Sequence, residues 1–310
     1  MEPGIDCSPE SIKAFLDDQY GLVVHEIKQF SQGVLNTNLL CDTGIQKYVF
    51  RIYNFKKPEA VQYEVDILEF LKDKQFSSPK LQKTKDNGLI VLFQGKASVV
   101  YRYIDGSFAR RITIELLEEI GQIMGRLHTL SGGFEPSVQK ATWEPEEIKR
   151  LVCEEGFQLI NCGFPKAEQL LEFLELELDK FSFPDTLPKA ITHQDIKPEN
   201  IIINDKGIQG IIDFDNAYVG TLLHDITTTV IWTCFEKKRL QKSYLNAFLS
   251  GYSRIRSLKF EEKEYLYKGI GFRLLREIFI GPFVTQHLPD ISKQRSDYFL
   301  QLYCHMDVMN

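Results

Sequence analysis

The sequence predicts an α+β fold in two lobes: an antiparallel sheet with one helix in residues 1–105, then a mostly helical lobe in residues 106–310. Three observations predict it. Before Asp105-Gly106 the apolar residues fall in short alternating runs, broken by turn signals such as Asp42-Thr43-Gly44 and Asp86-Asn87-Gly88; that is the period and punctuation of strands. After it, Leu116, Ile120, Ile123, Leu127 and Leu130 recur at helical spacing, and helical patterning dominates to the end. Inside the helical half, Ile201–Asn204 and Ile208–Ile212 flank Asp205-Lys206-Gly207 and read as a hairpin.

The elements follow in order. Ser8 can cap a first helix with Pro9 at its first position, running to about Tyr20. Strands are expected in 21–30, 34–41 and 46–53. A helix follows at Pro58–Lys72, where Ala60, Glu64, Ile67 and Leu71 form one stripe. A carboxylate in that stripe needs a partner. Further strands are expected at Lys80–Lys83, Leu89–Phe93 and Ala97–Ile104, six candidates in all for an expected five-stranded antiparallel sheet. Gly132-Gly133 stops the next helix. Glu146–Asn161 and Glu168–Phe181 read as helices, and helices continue from Leu222, with Trp232 and Cys234 as core residues.

Bulk properties narrow the function. Thirty-seven basic and 43 acidic side chains give a net charge of -6, without the basic footprint of a nucleic-acid partner. Six scattered cysteines without a CxxC pair suit a reducing, cytoplasmic setting. No stretch reaches eighteen apolar residues, so no membrane partner is expected. A monomer or homodimer fits.

The densest polar cluster is His193-Gln194-Asp195-Ile196-Lys197-Pro198-Glu199-Asn200, just before the hairpin whose second strand ends in Asp213-Phe214-Asp215. Pairing of the two strands brings Asn200 and Asp213 to one end, where both offer oxygen ligands suited to magnesium. Asp195 can point from the loop at a substrate hydroxyl and take its proton, as phosphoryl transfer requires. Two adjacent acids, Asp213 and Asp215, repel unless a cation sits nearby. Upstream, Arg51 can meet nucleotide phosphates, Glu64 can hold that arginine, and Ser31-Gln32-Gly33 can form a covering turn.

HQDIKPEN followed by IIDFD resembles the catalytic loop and metal motif of the aminoglycoside phosphotransferase and choline kinase superfamily, small-molecule relatives of protein kinases. FSQGVLNTNLLCDTGIQKYVFRIY resembles the start of the bacterial homoserine kinases of that superfamily. The resemblance implies a bilobal protein-kinase-like fold, ATP and Mg2+ as cofactors, and transfer to a small-molecule hydroxyl. Homoserine or a related amino acid or amino alcohol is the expected acceptor; aminoglycosides and choline or ethanolamine are alternatives, and a catalytically inactive nucleotide-binding scaffold is the rival of another class. It makes Asp195 the catalytic aspartate, Asn200 and Asp213 the metal ligands, Arg51 the phosphate contact with Glu64 as its ion-pair partner, His193 a brace and Asp225 a buried tie for the loop, with Asp215 also supporting the site. Lys197 resembles the protein-kinase lysine that contacts the transferred phosphate. Val100–Ile104, with Tyr101 and Tyr103, matches the hinge that meets adenine. Gln194 and Lys197 depart from the commoner HGDLHxxN form. Only 12 residues separate Asp213 from Asp225, which leaves no room for the peptide-docking segment of a protein kinase. Arg273 and Arg276 could meet an amino-acid carboxylate or bridge C-terminal helices.

Overall fold

The computed structural model describes residues 6–30, 36–284 and 289–307. The chain forms two compact units. One takes Met1–Ala109, Gly133–Lys140 and Glu199–Asp215; the other takes Arg110–Gly132, Ala141–Pro198 and Asn216–Asn310.

In the first unit, α1 (Pro9–Tyr20) starts as its sequence dictates. Ser8 Oγ accepts from the Ser11 N–H, Pro9 fills the first turn, and Gly21 closes the helix at φ 67°, a conformation that costs glycine nothing. Strands β1 (Glu26–Gln29), β2 (Asn36–Asp42) and β3 (Lys47–Tyr53), helix α2 (Pro58–Asp73), and strands β4 (Val91–Phe93) and β5 (Lys96–Arg102) follow. The sheet has the order β1-β2-β3-β5-β4 and every pair is antiparallel. Lys80–Lys83 does not become a strand. Leu81 makes one bridge to Tyr101, flanked by Gln82 N–H to Val100 O and Arg102 N–H to Lys80 O. Pro79 has no N–H to extend the ladder.

Period-two alternation gives this sheet two different faces. Leu39, Cys41, Phe50, Ile52, Phe93 and Val100 point one way and bury against Ile12, Leu16 and Tyr20 of α1. Phe15 closes that layer, with its ring 5.6 Å from Phe50 and 4.9 Å from Phe93. The alternate residues of the same strands, Arg51, Tyr53 and Tyr101, are also buried, but they are polar-tipped. Their partner is Glu64 of α2. A second sheet in this unit pairs Ile201–Asn204 with Gly207–Ile211 and adds Ser107–Phe108 at its edge.

The second unit is helical: α3 (Ile114–Leu130), α4 (Pro145–Glu155), α5 (Phe157–Asn161), α6 (Ala167–Leu178), α7 (Leu222–Thr233), α8 (Lys242–Ile255), α9 (Phe260–Glu264), α10 (Leu266–Val284) and α11 (Pro289–Asp307). The single helix expected over Glu146–Asn161 is divided at Gly156, where Leu171 of α6 presses in; a Cβ there would lie 2.6 Å from Leu171 Cδ2. Helix α7 is buried on nearly all sides, and three of its four threonines satisfy their hydroxyls on their own helix: Thr227 Oγ1 donates to His224 O at 3.2 Å, Thr228 Oγ1 to the same oxygen at 2.7 Å, and Thr233 Oγ1 to Thr229 O at 2.7 Å. No described helix is long and apolar enough to cross a membrane.

Helices α3 and α8 meet backbone to backbone. A Cβ on Gly121 would lie 2.1 Å from Phe248 O, and one on Gly251 would lie 2.0 Å from Glu118 O. Either alanine forces the helices apart. Gly251→Ala is therefore expected to lower stability by about 1–3 kcal/mol, the usual cost of overpacking, read as a lower urea midpoint with an unchanged m-value. An unchanged midpoint would show that this contact is slack.

Candidate active site

The polar cluster singled out in the sequence is anchored in the second unit by two short strands that sequence patterning did not reveal. Lys189–Thr192 pairs antiparallel with Tyr218–Thr221. The first strand runs directly into His193. The second runs directly into α7, which carries Asp225 in its first turn. Pairing thus places Asp225 against the loop. Its Oδ2 accepts from the His193 N–H at 2.9 Å, and its Oδ1 from the Gln194 N–H at 2.7 Å. His128 Nε2 lies 3.0 Å from the same Oδ2. Burial works against the charge of Asp225, but His128 and these loop contacts outweigh it and hold the carboxyl below the usual range.

The loop is bent at Gln194, which adopts φ 65°. A non-glycine residue there costs about 1–2 kcal/mol, which explains why glycine is the commoner residue in this kind of loop. Arg273 offsets the cost: its Nη2 donates to Gln194 O at 3.0 Å and its Nη1 to Gln194 Oε1 at 3.3 Å. The Asp195 N–H then donates to His193 Nδ1 at 3.3 Å, so His193 braces the backbone of the next residue but one. Asp195 Oδ2 accepts from Lys197 Nζ at 2.8 Å. Lys197 in turn sits over the ring of Trp232, 5.4 Å from its centroid. Trp232, expected in the core, is only half-buried and serves as a platform for cations.

The first unit holds the other candidate residues. Arg51 faces Asn38 across β3 and β2, and donates from Nε to Asn38 Oδ1 at 2.9 Å. Its Nη1 lies 3.0 Å from Asp213 Oδ1 and 3.5 Å from Glu64 Oε1. Burial alone would favour a neutral Arg51; Asp213 leads the groups that hold its charge firmly in place. Glu64 is buried and accepts from Tyr53 at 2.9 Å and Tyr101 at 3.0 Å. Its carboxyl is raised above the usual range by burial and by Asp215, against the pull of Arg51. Asn200 and Asp213 lie at the same end of the second sheet, where Ile212 N–H donates to Asn200 O at 2.9 Å. Asp213 turns out of its strand at φ 69°.

Asp215 collects more cations than the sequence suggested. Lys56 Nζ lies against its Oδ1, Lys140 Nζ donates to its backbone carbonyl at 2.7 Å, and Asn36 donates to Oδ2 at 3.3 Å. Burial, and after it neighbouring Lys56, bring the Lys140 ammonium down to about 8 against the pull of Asp215 and Glu64. Neither lysine carries a local motif; each is one charged residue among many in its segment. Tyr101 points into the Arg51–Glu64 face, and the N–H groups of Arg102 and Tyr103 are bonded to Lys80 O and Lys47 O. Ser31 and Gly33 lie outside the described residues.

A further missed residue is Glu144, which fixes the start of α7. It accepts from Thr221 N–H at 3.0 Å, from Thr221 Oγ1 at 2.8 Å and from Tyr218 OH at 3.3 Å, and His224 Nδ1 lies 3.0 Å away.

A family model described as the phosphotransferase enzyme family matches residues 26–258. The homoserine kinase of Zymomonas mobilis is 25% identical over 285 residues, which cover 86% of this chain and 85% of that protein. The homoserine kinase of Chelativorans sp. is 29% identical, covering 84% and 81%. Among solved structures, an amicoumacin kinase in complex with AMP-PNP and Ca2+ superposes with a TM-score of 0.74 at 16% identity, covering 96% of this chain and 94% of that one. That likeness shows a shared fold.

Glu144 makes a pH prediction. Burial raises its pKa, but His224 and Thr221 prevail and bring it down to about 2 from an ordinary 4.5. A depressed carboxyl contributes stability that is full above its ordinary value and is lost as pH falls through the folded one. The contribution, on the order of 3 kcal/mol, is thus present above pH 4.5 and fades toward pH 2. Glu144→Gln is expected to lose it at neutral pH and to flatten the acid limb of a stability–pH curve. Parallel acid limbs for variant and parent would refute this.

Proposed function

We propose that this chain, which belongs to the phosphotransferase enzyme family and is an ATP-dependent small-molecule kinase, phosphorylates the hydroxyl of homoserine or of a related amino acid or amino alcohol. The observation that carries the reading is Asp195, held on a loop tied to Asp225 and paired with Lys197 at 2.8 Å. It is supported by the homoserine kinases that match most of the chain.

In this reading Asp195 orients the acceptor hydroxyl and takes its proton on Oδ1 or Oδ2. Lys197 pairs with that carboxylate at 2.8 Å and is assigned the transferred phosphoryl group. Arg51 binds phosphate oxygens, with Glu64, Tyr53 and Tyr101 fixing its direction. Val100–Ile104 takes the adenine through backbone groups other than the N–H groups of Arg102 and Tyr103. Ser31 and Gly33 are assigned to phosphate cover on sequence alone. The donor set fits magnesium: a carboxylate on Asp213 and an amide oxygen on Asn200 are hard ligands at one end of one hairpin. Asp213 already faces a cation, Arg51, so its site is built to receive positive charge. When bound, magnesium would offset charge on the transferring phosphates. Acceptor specificity, residence in the cytoplasm and a monomeric or homodimeric state belong to this proposal, as does a division of labour between residues 1–105 for nucleotide and 106–310 for catalysis and acceptor.

Three substitutions separate the roles. Asp195→Asn keeps shape and hydrogen bonding but cannot accept the proton; kcat is expected to fall by roughly 10²–10⁴ with nucleotide binding nearly intact. Asp213→Ala removes a metal ligand, and should weaken magnesium-dependent binding of a non-hydrolysable ATP analogue as well as slow transfer. Calorimetry beside steady-state rates distinguishes them, and the reverse pattern would exchange the two assignments. Arg51→Ala strands buried Glu64 and removes a charge-assisted donor; a higher KM for ATP with lower turnover is expected. Parent-like use of ATP would reduce Arg51 to a strand residue.

A further inference from the structure

Between α3 and α4 the chain enters the first unit: residues 133–140 belong to it, while the helices on either side belong to the second. This segment forms neither helix nor strand, yet it is fastened along one stripe of α2. The ring of Phe134 lies edge-on to Phe70 at 5.2 Å and to Tyr63 at 6.3 Å. Asp66 Oδ2 accepts from the Ser137 N–H at 3.0 Å and also from Ser137 Oγ, while its Oδ1 accepts from Gln62 Nε2 at 2.7 Å. Lys140 Nζ lies 5.5 Å from the centroid of Tyr63. Tyr63, Asp66 and Phe70 stand at i, i+3 and i+7, the spacing of one helix face. The far end of the segment is tied as well. Asp215 O accepts from Lys140 Nζ at 2.7 Å and from Lys56 Nζ at 3.2 Å. The entry to α2, the segment and the turn after Asp213 thus meet on one carbonyl oxygen.

Apolar packing accounts for Phe134 but not for the rest. Burial is non-directional and leaves a helix free to slide on its neighbours; a hydrogen bond to a charged group is directional. At its own start α2 lacks such a restraint, because Lys57 at the N-cap makes no side-chain cap hydrogen bond. The register of α2 matters because of Glu64. Arg51 Nη1 lies 3.0 Å from Asp213 but 3.5 Å from Glu64, so the pair with Glu64 has little slack. One residue of helix rise, about 1.5 Å, carries the carboxylate out of reach of Arg51 and of the Tyr53 and Tyr101 hydroxyls. When Arg51 gives hydrogen bonds to phosphate, the hold of Glu64 on the sheet weakens. The outer face of α2 is then what keeps the helix in register.

We infer that residues 133–140 form a clamp that positions the nucleotide site, with Asp66 and Lys140 as positioning residues. Asp66, bonded to Ser137, holds α2 in the register that keeps Glu64 beside Arg51. Lys140 holds the other end of the clamp to the turn that follows Asp213. Neither side chain is assigned a contact with substrate; each acts through another residue. The inference rests on the reading in which Arg51 meets nucleotide phosphates and Asp213 a magnesium ion. An electrostatic consequence sets the clamp apart from ordinary packing. Ser137 is exposed, and a negative group at that position would face the Asp66 carboxylate at hydrogen-bonding range, where like charges repel. A carboxylate at 137 should therefore release the clamp. An amide at 66, which can donate to that carboxylate, should close it again.

Calorimetry of the full chain with a non-hydrolysable ATP analogue and magnesium tests the clamp, beside hydrogen exchange, urea unfolding and steady-state rates. Asp66→Ala is expected to weaken analogue binding by roughly 3–10-fold, to raise the KM for ATP with little change in kcat, and to speed amide exchange in α2. Ser137→Asp should do the same, and Ser137→Asp combined with Asp66→Asn should recover most of the lost affinity. Lys140→Met should also weaken binding. Combined with Asp66→Ala it should cost less than the sum of the two, because both loosen one segment. Parent-like analogue binding in Asp66→Ala, no recovery in the Ser137→Asp, Asp66→Asn pair, or fully additive losses overturns the inference. So does a lowered urea midpoint with an unchanged KM for ATP, the result of a merely structural contact. Should Asp66→Ala fail to fold, the Ser137→Asp loss and its recovery decide alone. Arg51→Ala tests the premise separately. If it binds the analogue like the parent, the phosphate reading falls and the clamp with it. If it loses binding while Asp66→Ala does not, the clamp alone falls.

Discussion

The buried carboxylate of Asp225 is the constraint on which the loop from His193 depends. Taking a carboxylate out of water is costly unless every lone pair finds a donor. Here the donors are the main-chain N–H groups of His193 and Gln194 and the ring of His128, so the loop cannot relax without exposing that cost. The constraint spreads outward. His128 Nδ1 lies 2.8 Å from Tyr252 OH, Arg256 donates to the same hydroxyl at 2.9 Å, and Arg256 pairs with Glu262 at 3.0 Å through both nitrogens. Helices α3, α7 and α8 and the turn after α8 are thereby fixed to one loop. The glycine contact between α3 and α8 brings His128 and Tyr252 close enough for this chain to form. Backbone packing and side-chain electrostatics thus enforce the same geometry.

In the first unit the equivalent constraint is the alternation of β3. Residue 50 must face α1 and residue 51 must face α2, because strand side chains alternate. A charged side chain forced into a buried face survives only among fixed opposite charges. Glu64, two tyrosine hydroxyls and Asp213 supply them. Both partners of the pair are hydrogen-bonded beyond each other, the condition under which a buried ion pair directs a site instead of simply weakening the fold.

Much of this was legible in the sequence. The antiparallel sheet, the helix between its third and fourth strands, and the helical second half follow from period and punctuation. Glu64 stood out as an acid within an apolar stripe, and its need for a partner is met by Arg51. The spacing from His193 through Asn200 to Asp213 located the hairpin and its neighbouring loop. Other features left no local trace. The strand Lys189–Thr192 and its partner Tyr218–Thr221 are four residues each, too short to show a period. Leu81 shows the converse: an alternating pattern that pairs at one position because a proline precedes it. Glu144, Lys56 and Lys140 lie far in sequence from the groups they serve, and a single charged residue in a polar stretch has no signature of its own. Trp232 read as core because nothing local distinguishes a ring that packs under aliphatic side chains from one that packs under cations.

Around Arg51, three cations (Arg51, Lys56 and Lys140) meet three carboxylates, those of Glu64, Asp213 and Asp215. That set is self-neutral, and in the proposed reading a metal–nucleotide pair would bring both signs to it: phosphate for the cations, a divalent ion for the carboxylates. Binding there would be an exchange of partners, which a balanced set can make without leaving any buried group unpaired.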